Sequence, residues 1–296
     1  RIFKRIKNMP KEIKYTAYID VLGFSNHIEN KITNDKEAQS FAQELINNVV
    51  NYLEYEKINF LNKYNLPDEL NAIQYDYTWI SDTFVITINY NGNCTNKHLS
   101  GVLISLLSLT ISQVYHFFAR KYGLLLRGAI TSKYTFLGKN LILGKGIAEA
   151  AKLEKEIAIY PRVIFAEDVI SDDIISYIVL MHNDNNLNIV SKDFDGWYFV
   201  NYIASLQDLP PMIGEAKKSM NEIDLNEMAK LDKIETIKSY SQIIDNGLKE
   251  KNLKIRSKYL WLKEYFNKVL PTDGKTYNMF AYNILGDPQK ADGENK

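Results

Sequence analysis

Leu99 to Phe118 reads LSGVLISLLSLTISQVYHFF, a run of bilayer length without one formal charge. Such a run has two destinations: across a membrane, or into the interior of a globular fold. Its serines, its threonine, Gln113 and His116 favour the interior, where neighbouring groups can pair with them. Strand-like segments stand on both sides of it. The expectation is therefore a helix buried against a sheet, with no membrane span.

The rest of the chain supplies that sheet. Tyr15 to Asp20 reads as a strand, and Gly23 permits a sharp turn after it. Lys36 to Ile58 places Ala38, Phe41, Ala42, Leu45, Val49 and Leu53 at helical spacing. Ala72–Trp79 and Phe84–Asn89 read as two strands of a hairpin, joined at Ile80-Ser81-Asp82-Thr83. The uncharged helix should stop near Tyr122-Gly123. Leu124 to Thr131 reads as a strand and Tyr134 to Gly138 as a turn or short strand. Leu141 to Leu143 leads through Gly144 and Gly146 into a helix over Ile147 to Ile157. Pro161 opens a strand from Arg162 to Phe165. Ile175–Leu180 and Trp197–Ile203 read as further strands around the polar turn HNDNNLN. The order implies an α+β fold, a mixed and largely antiparallel sheet with helices packed on it.

At 296 residues the chain is long enough for a core domain with an appendage. Composition changes near Gln207-Asp208-Leu209-Pro210-Pro211. Beyond it lie charged helical stretches, notably Leu231 to Leu270. Their stripe of Tyr240, Ile243, Ile244, Leu248, Tyr259, Leu262 and Tyr265 suits a helix covering the core or a dimer partner. The expected division is 12–204 for the core domain and 205–296 for a helical extension, with a polar tail after Leu285.

Composition excludes several functions. Lys plus Arg equals Asp plus Glu, 36 of each, so no charge excess points to nucleic acid or an acidic membrane surface. That also counts against a polymerase-like protein acting on nucleic acid. Cys94 is the one cysteine, which rules out a disulfide framework and a cysteine-based zinc site. The four histidines show no metal spacing. A reducing cytoplasm is the expected location. The chain opens on Arg1 without a methionine, as a trimmed chain would, and shows no signal peptide.

Two aspartates carry the chemistry. Asp20 ends the apolar run AYID and is followed at once by the glycine turn VLGFS; Asp82 sits at the hairpin turn WISDTF. Either alone suits an ordinary turn former. Together, a carboxylate at a strand end and another on a neighbouring hairpin suit two hard cations, Mn²⁺ or Mg²⁺, on a triphosphate. The glycines of Gly138-Lys-Asn-Leu-Ile-Leu-Gly-Lys-Gly146 do not make a P-loop, because the spacing is wrong and no Ser or Thr follows Lys145.

Four segments in order resemble the class III nucleotidyl cyclases. Asp20, Val21, Gly23, Phe24 and Ser25 match the family's Asp-Ile-x-Gly-Phe-Thr/Ser. Ser81-Asp82 stands for its Gly-Asp hairpin. LLRGAITSKYTFLGKNLILGKGIAEAAKLEKEIA stands for its Arg-x-Gly-Ile strand, loop and glycine turn into a helix. WYFVNY stands for its late Tyr-Phe-Val strand. Within that superfamily RGAIT, FDGWYFVNY and KYLWLKEYFN are most similar to the Pycsar uridylate and cytidylate cyclases of bacterial antiphage defence. The resemblance implies a ferredoxin-like catalytic domain that cyclises UTP or CTP to a 3′,5′-cyclic monophosphate and releases pyrophosphate. It further implies two Mn²⁺ or Mg²⁺ ions per site, a homodimer with interface sites, and a separate effector protein activated by the product.

Carried over residue by residue, the resemblance makes Asp20, Asp82 and the Val21 carbonyl metal ligands. Gly23, Phe24 and Ser25, within Leu22–Ser25, become the phosphate-binding turn. Lys152 falls at the position of the transition-state arginine, and Ala148 at that of a ribose-positioning asparagine. These two departures leave Arg127 or Arg162 as alternative sources of a guanidinium, since lysine offers a point charge and no bidentate fork. Lys192 aligns with a triphosphate-binding lysine. Thr78 and Leu141 occupy the base-reading positions and provide neither the adenine nor the guanine pattern. Tyr18, Thr78 and Asn140 are candidates to face the base.

Overall fold

The structure is a computed structural model that describes residues 13–66, 71–92, 98–138, 141–182, 188–208 and 222–270. Strand β1 (Ile13–Leu22) alternates faces. Tyr15, Ala17, Ile19 and Val21 are buried on one side, while Tyr18, Asp20 and Leu22 on the other are partly exposed. Helices α1 (Phe24–Lys31) and α2 (Asp35–Lys63) follow. Asn34 caps α2 by accepting the Glu37 amide at 3.0 Å, and Glu37 accepts the Thr33 amide at 2.8 Å. The expected hairpin forms from β2 (Ile73–Ile80) and β3 (Thr83–Tyr90). Helix α3 (Leu99–Tyr122) contains the uncharged run, adds Arg120 and Lys121 in its last turn, and is ended by Gly123. Strand β4 (Leu125–Thr131) follows, then a small hairpin, β5 (Phe136–Gly138) and β6 (Leu141–Leu143). Then come α4 (Lys145–Glu156), β7 (Val163–Phe165), α5 (Asp172–His182), β8 (Val190–Lys192) and β9 (Tyr198–Val200). Helices α6 (Glu222–Leu248) and α7 (Leu253–Val269) close the described chain.

Seven strands form one sheet in the order β2-β3-β1-β4-β7-β9-β8, and only the β4–β7 pair is parallel. The succession β1, α2, β2, β3, α3, β4 with the order β2-β3-β1-β4 is a ferredoxin-like unit, and the fold class is α+β. Gly128 makes the β1–β4 contact possible, since a Cβ there would lie 2.2 Å from the Tyr18 carbonyl oxygen.

Helix α3 lies on the apolar face of this sheet. Phe118 stacks on Phe84, and the Tyr115 hydroxyl donates to the Leu126 carbonyl at 2.7 Å. Its length and hydropathy would suit a membrane, but 94% of its most apolar window is buried inside the protein. Two of its polar side chains bond back to the helix itself: Thr110 donates to the Leu106 carbonyl and Ser112 to that of Ser108.

Three expectations need correction or trimming. Ile175–Leu180 is not a strand; it belongs to α5, which packs on α3 and sets Tyr177 over Gly101. The last strand is confined to Tyr198–Val200. The helical stretch Leu231–Leu270 is two helices, broken between Leu248 and Leu253. Cys94, Asn140, the centre of HNDNNLN, Leu209-Pro210-Pro211 and the tail after Leu285 lie outside the described residues.

The C-terminal helices enter the same core. Ile237, Tyr240, Ile244, Leu262 and Phe266 are buried with the side chains of α3 and the sheet. His116, wholly buried on α3, shares a hydrogen bond with the Tyr240 hydroxyl at 3.1 Å and one with Ser205 Oγ at 2.9 Å. Burial, with Arg120 adding to it, pushes its pKa down to about 3 from 6.5. The unfolded chain therefore binds a proton that the folded one refuses. The stability held by neutral His116 is complete above pH 6.5 and falls away toward pH 3, by about 1.4 kcal/mol per pH unit. Urea melts between pH 7 and pH 5 should show a steeper acid loss in the native chain than in His116→Asn. Equal slopes would refute the assignment.

Candidate active site

The register of the sheet builds the site. β1 pairs Asp20 with Thr83 of β3 and with Arg127 of β4. Tyr18, two residues before Asp20, pairs with Val85, which pairs in turn with Thr78. Asp20, Arg127, Tyr18 and Thr78 thus share the sheet face opposite α3. Helix α4 packs on that face, with Glu149 accepting from Thr131 Oγ1 at 2.6 Å.

Asp82 is held beside Asp20 by main-chain pairing. The Val21 amide donates to the Asp82 carbonyl at 2.9 Å, so the hairpin turn is docked on the end of β1. Ser81 takes the left-handed conformation at φ 56°, and the Trp79 indole donates to its carbonyl. Trp79 stacks on Phe84 with 4.9 Å between ring centres, which fixes the turn to the core. Directly after Leu22, Gly23 adopts φ 81° and opens α1. Phe24 is buried against Phe41 and Trp79, while Ser25 is exposed. The Leu22–Ser25 turn therefore has a rigid apolar underside and a solvent-facing rim.

Two groups absent from the sequence reading complete the cluster. Arg127 Nε donates to Asp20 Oδ2 at 3.0 Å and also lies 2.6 Å from Glu154 Oε1. Only the first contact is an aligned hydrogen bond; among the described residues Glu154 Oε1, in a side chain 9% exposed, accepts none. Lys258 of α7, half-buried, stands within electrostatic reach of Asp20 and Glu154. Burial raises the Asp20 carboxyl above its usual range despite the Arg127 hydrogen bond, and the Asp82 charge adds to the rise. Burial raises Glu154 as well, with Asp20 and Asp82 adding to it. Burial, then Arg127, lowers Lys258.

Asp20 and Glu154 both contact Arg127, with Asp82 and Lys258 within electrostatic reach, so three carboxylates face two cations and the cluster is short of positive charge. That fits a hard divalent cation, and the donors are all oxygen. Among the described residues no three His, Cys, Asp or Glu side chains form a ready cage. Asp20, Asp82 and a main-chain carbonyl would leave the other positions to water and phosphate, as Mg²⁺-type sites do.

The remaining candidates are elsewhere. Lys152, on α4, is 70% exposed and forms a loose ion pair with Glu156 at 3.9 Å. It lies two residues from Glu154, about 200° round the helix, and so faces away from the carboxylates. Lys192 ends β8 with its ammonium 5.1 Å from the Tyr198 ring. It lines a cavity of about 640 Å³ with Phe194, Trp261 and Lys268, which neither Asp20 nor Asp82 enters. Arg162 is wholly buried and engaged by Asp193 and by both oxygens of Asp195, so it is a structural clamp and not a free guanidinium. Glu154 left one trace in the sequence: with Gly146 and Ala150 it forms a buried i, i+4 stripe, where an acid is out of place.

No family model and no curated protein matches the chain. Among solved structures, it is similar to the adenylyl cyclase CyaB from P. aeruginosa at 15% identity and a TM-score of 0.32, covering 64% of this chain and 94% of that one. It is also similar to the dimeric guanylyl cyclase domain of the RhoGC fusion protein from the aquatic fungus Blastocladiella emersonii, at 12% identity and a TM-score of 0.35, covering 64% and 98%. At such identity and overlap neither likeness assigns a role to any residue.

Proposed function

We propose that this chain is a nucleotidyl cyclase that converts UTP or CTP to the 3′,5′-cyclic monophosphate and pyrophosphate, as a second-messenger synthase in antiphage defence. The observation that carries the cyclase reading is the docking of Asp82 on β1 beside Asp20, two residues before the strand ends at Leu22, through the Val21–Asp82 hydrogen bond. The choice of a pyrimidine and the defence role rest on the resemblance of the motifs alone.

In this reading the ribose 3′-hydroxyl attacks the α-phosphorus, its proton leaves to solvent or phosphate, and the bond to the pyrophosphate oxygen breaks. Two Mn²⁺ or Mg²⁺ ions would lower the pKa of that hydroxyl and neutralise the triphosphate. Asp20, Asp82 and the Val21 carbonyl would hold them. The amides of Gly23, Phe24 and Ser25 would face the β- and γ-phosphates at the start of α1. Tyr18 and Thr78 share the face on which the base would lie. Lys152 points out of its own protomer, so it would serve the site of a second copy in a homodimer. Tyr134, Phe136, Leu141 and Leu143, apolar and exposed around the β5–β6 hairpin, support such a pairing. Lys192 would reach phosphate only from the β8 edge.

One observation favours a second reading, a nucleotide-binding module without turnover. Arg127 occupies an oxygen of Asp20, and Ala148 and Lys152 replace the expected side chains. A single assay separates the two. The protein, incubated with each of the four NTPs and Mn²⁺, should yield a cyclic pyrimidine monophosphate by mass spectrometry, and Asp82→Ala should yield none. Triphosphate binding without product from any NTP would establish the second reading instead.

A further inference from the structure

The geometry points to an exchangeable counter-ion at this site, an inference that rests on the reading of Asp20 as a metal ligand. Arg127 guards Asp20 Oδ2, and Glu154 is the positioning residue that takes over the Arg127 Nε–H when Asp20 is given to a divalent cation.

The argument begins with one hydrogen. Arg127 Nε carries a single N–H and has two carboxylate oxygens beside it, Asp20 Oδ2 at 3.0 Å and Glu154 Oε1 at 2.6 Å. The hydrogen is aligned on Asp20 Oδ2, and buried Glu154 Oε1 keeps the ion-pair contact without an aligned hydrogen of its own. A buried carboxylate oxygen held by charge alone, with no aligned donor, gives up part of the stabilisation a full hydrogen bond would supply. Its place is explained if the same atom is paired in another state of the site. Neither backbone needs to move for that exchange. Asp20 and Arg127 are opposite each other across two paired strands, and Glu154 is held on α4, so a small turn of the guanidinium redirects the N–H. The exchange also removes a conflict. A divalent cation on Asp20 repels a guanidinium that shares the same carboxylate, and Glu154 offers that guanidinium a second anion already in contact.

The test reads Mn²⁺ affinity by electron paramagnetic resonance of the free ion, without turnover, on the full chain. Melting temperature and circular dichroism check that each variant is folded. Arg127→Met removes the guard and should tighten Mn²⁺ at least tenfold. Glu154→Met removes the receiving oxygen and should weaken Mn²⁺ about tenfold, the loss of one charge-assisted hydrogen bond. In the double variant the Glu154 effect should vanish, because it acts through Arg127. A Glu154 effect of equal size in both backgrounds would mean simple loss of a nearby charge, and would overturn the exchange. So would an Arg127→Met protein that binds Mn²⁺ no tighter than the native one. Native protein that binds no Mn²⁺, with Asp20→Asn unchanged from it, would refute the metal reading itself.

Discussion

Asp20→Asn is expected to lower the cyclisation rate by a factor of about 10³ or more, since it removes charge where the reaction gathers it. The substitution keeps the shape of the side chain and its hydrogen bond to Arg127, so the fold should survive. The measurement is the steady-state rate of product formation with saturating NTP and Mn²⁺, beside a melting curve. A rate within tenfold of the native protein would remove Asp20 from the chemistry. The same variant has a second diagnostic. If Asp20 is a ligand, raising Mn²⁺ should recover part of the rate; if it merely braces Arg127, added metal should change nothing.

Arg162→Met is expected to cost about 3–5 kcal/mol of stability, the size reached when one partner of a buried ion pair is removed. Arg162 is fully buried, bonded to Asp193 and Asp195, and lies over the rings of Tyr160 and Trp261 at 5.4 and 5.9 Å. Asp193 also accepts the Trp261 indole at 2.8 Å, so the same clamp fastens α7 to the turn after β8. Asp195 shows how the pair responds to acid. Burial raises its carboxyl, but the Arg162 hydrogen bond and charge outweigh that and hold it below its usual range. The stability it contributes is present above the ordinary aspartate pKa and is lost as pH falls below it. Urea unfolding at neutral pH is the check, with Asp195→Asn as the milder comparison. A loss under about 1 kcal/mol would show that the clamp is no stronger than an exposed ion pair.

What could be read in advance, and what could not, follows from the range of the forces involved. The β1 strand, the hairpin around Asp82 and the α3 helix were legible because each carries its own period or its own unbroken apolar run. Ile174-Ile175-Ser176-Tyr177-Ile178-Val179-Leu180 misled because a short β-branched run suits strand and helix alike. Asp172-Asp173 before it was the helix-start signal that decides the matter. Asp20 and Asp82 could be named because their neighbours in sequence, Gly23 and the hairpin, shape their surroundings. Glu154 and Lys258 could not. Their proximity to Asp20 comes from how α4 and α7 cross the sheet, which no local pattern states. Lys152 and Glu154 are two residues apart on α4 but about half a turn apart in space. The sequence alone therefore does not show that Glu154, and not Lys152, faces Asp20 in the same protomer. Arg162 drew attention as a free guanidinium, but only the fold shows Asp193 and Asp195 closing on it.

The change of composition near Gln207 marks no seam in the solid. His116 turns one ring nitrogen to Ser205 on the near side of that boundary and the other to Tyr240 beyond it. A single imidazole is thus mortared between the two parts. The C-terminal helices are therefore part of one interior and no separable cassette. A chain that lost them would have to rebuild its interior around an abandoned histidine, and would give up the helix that sets Lys258 near Asp20.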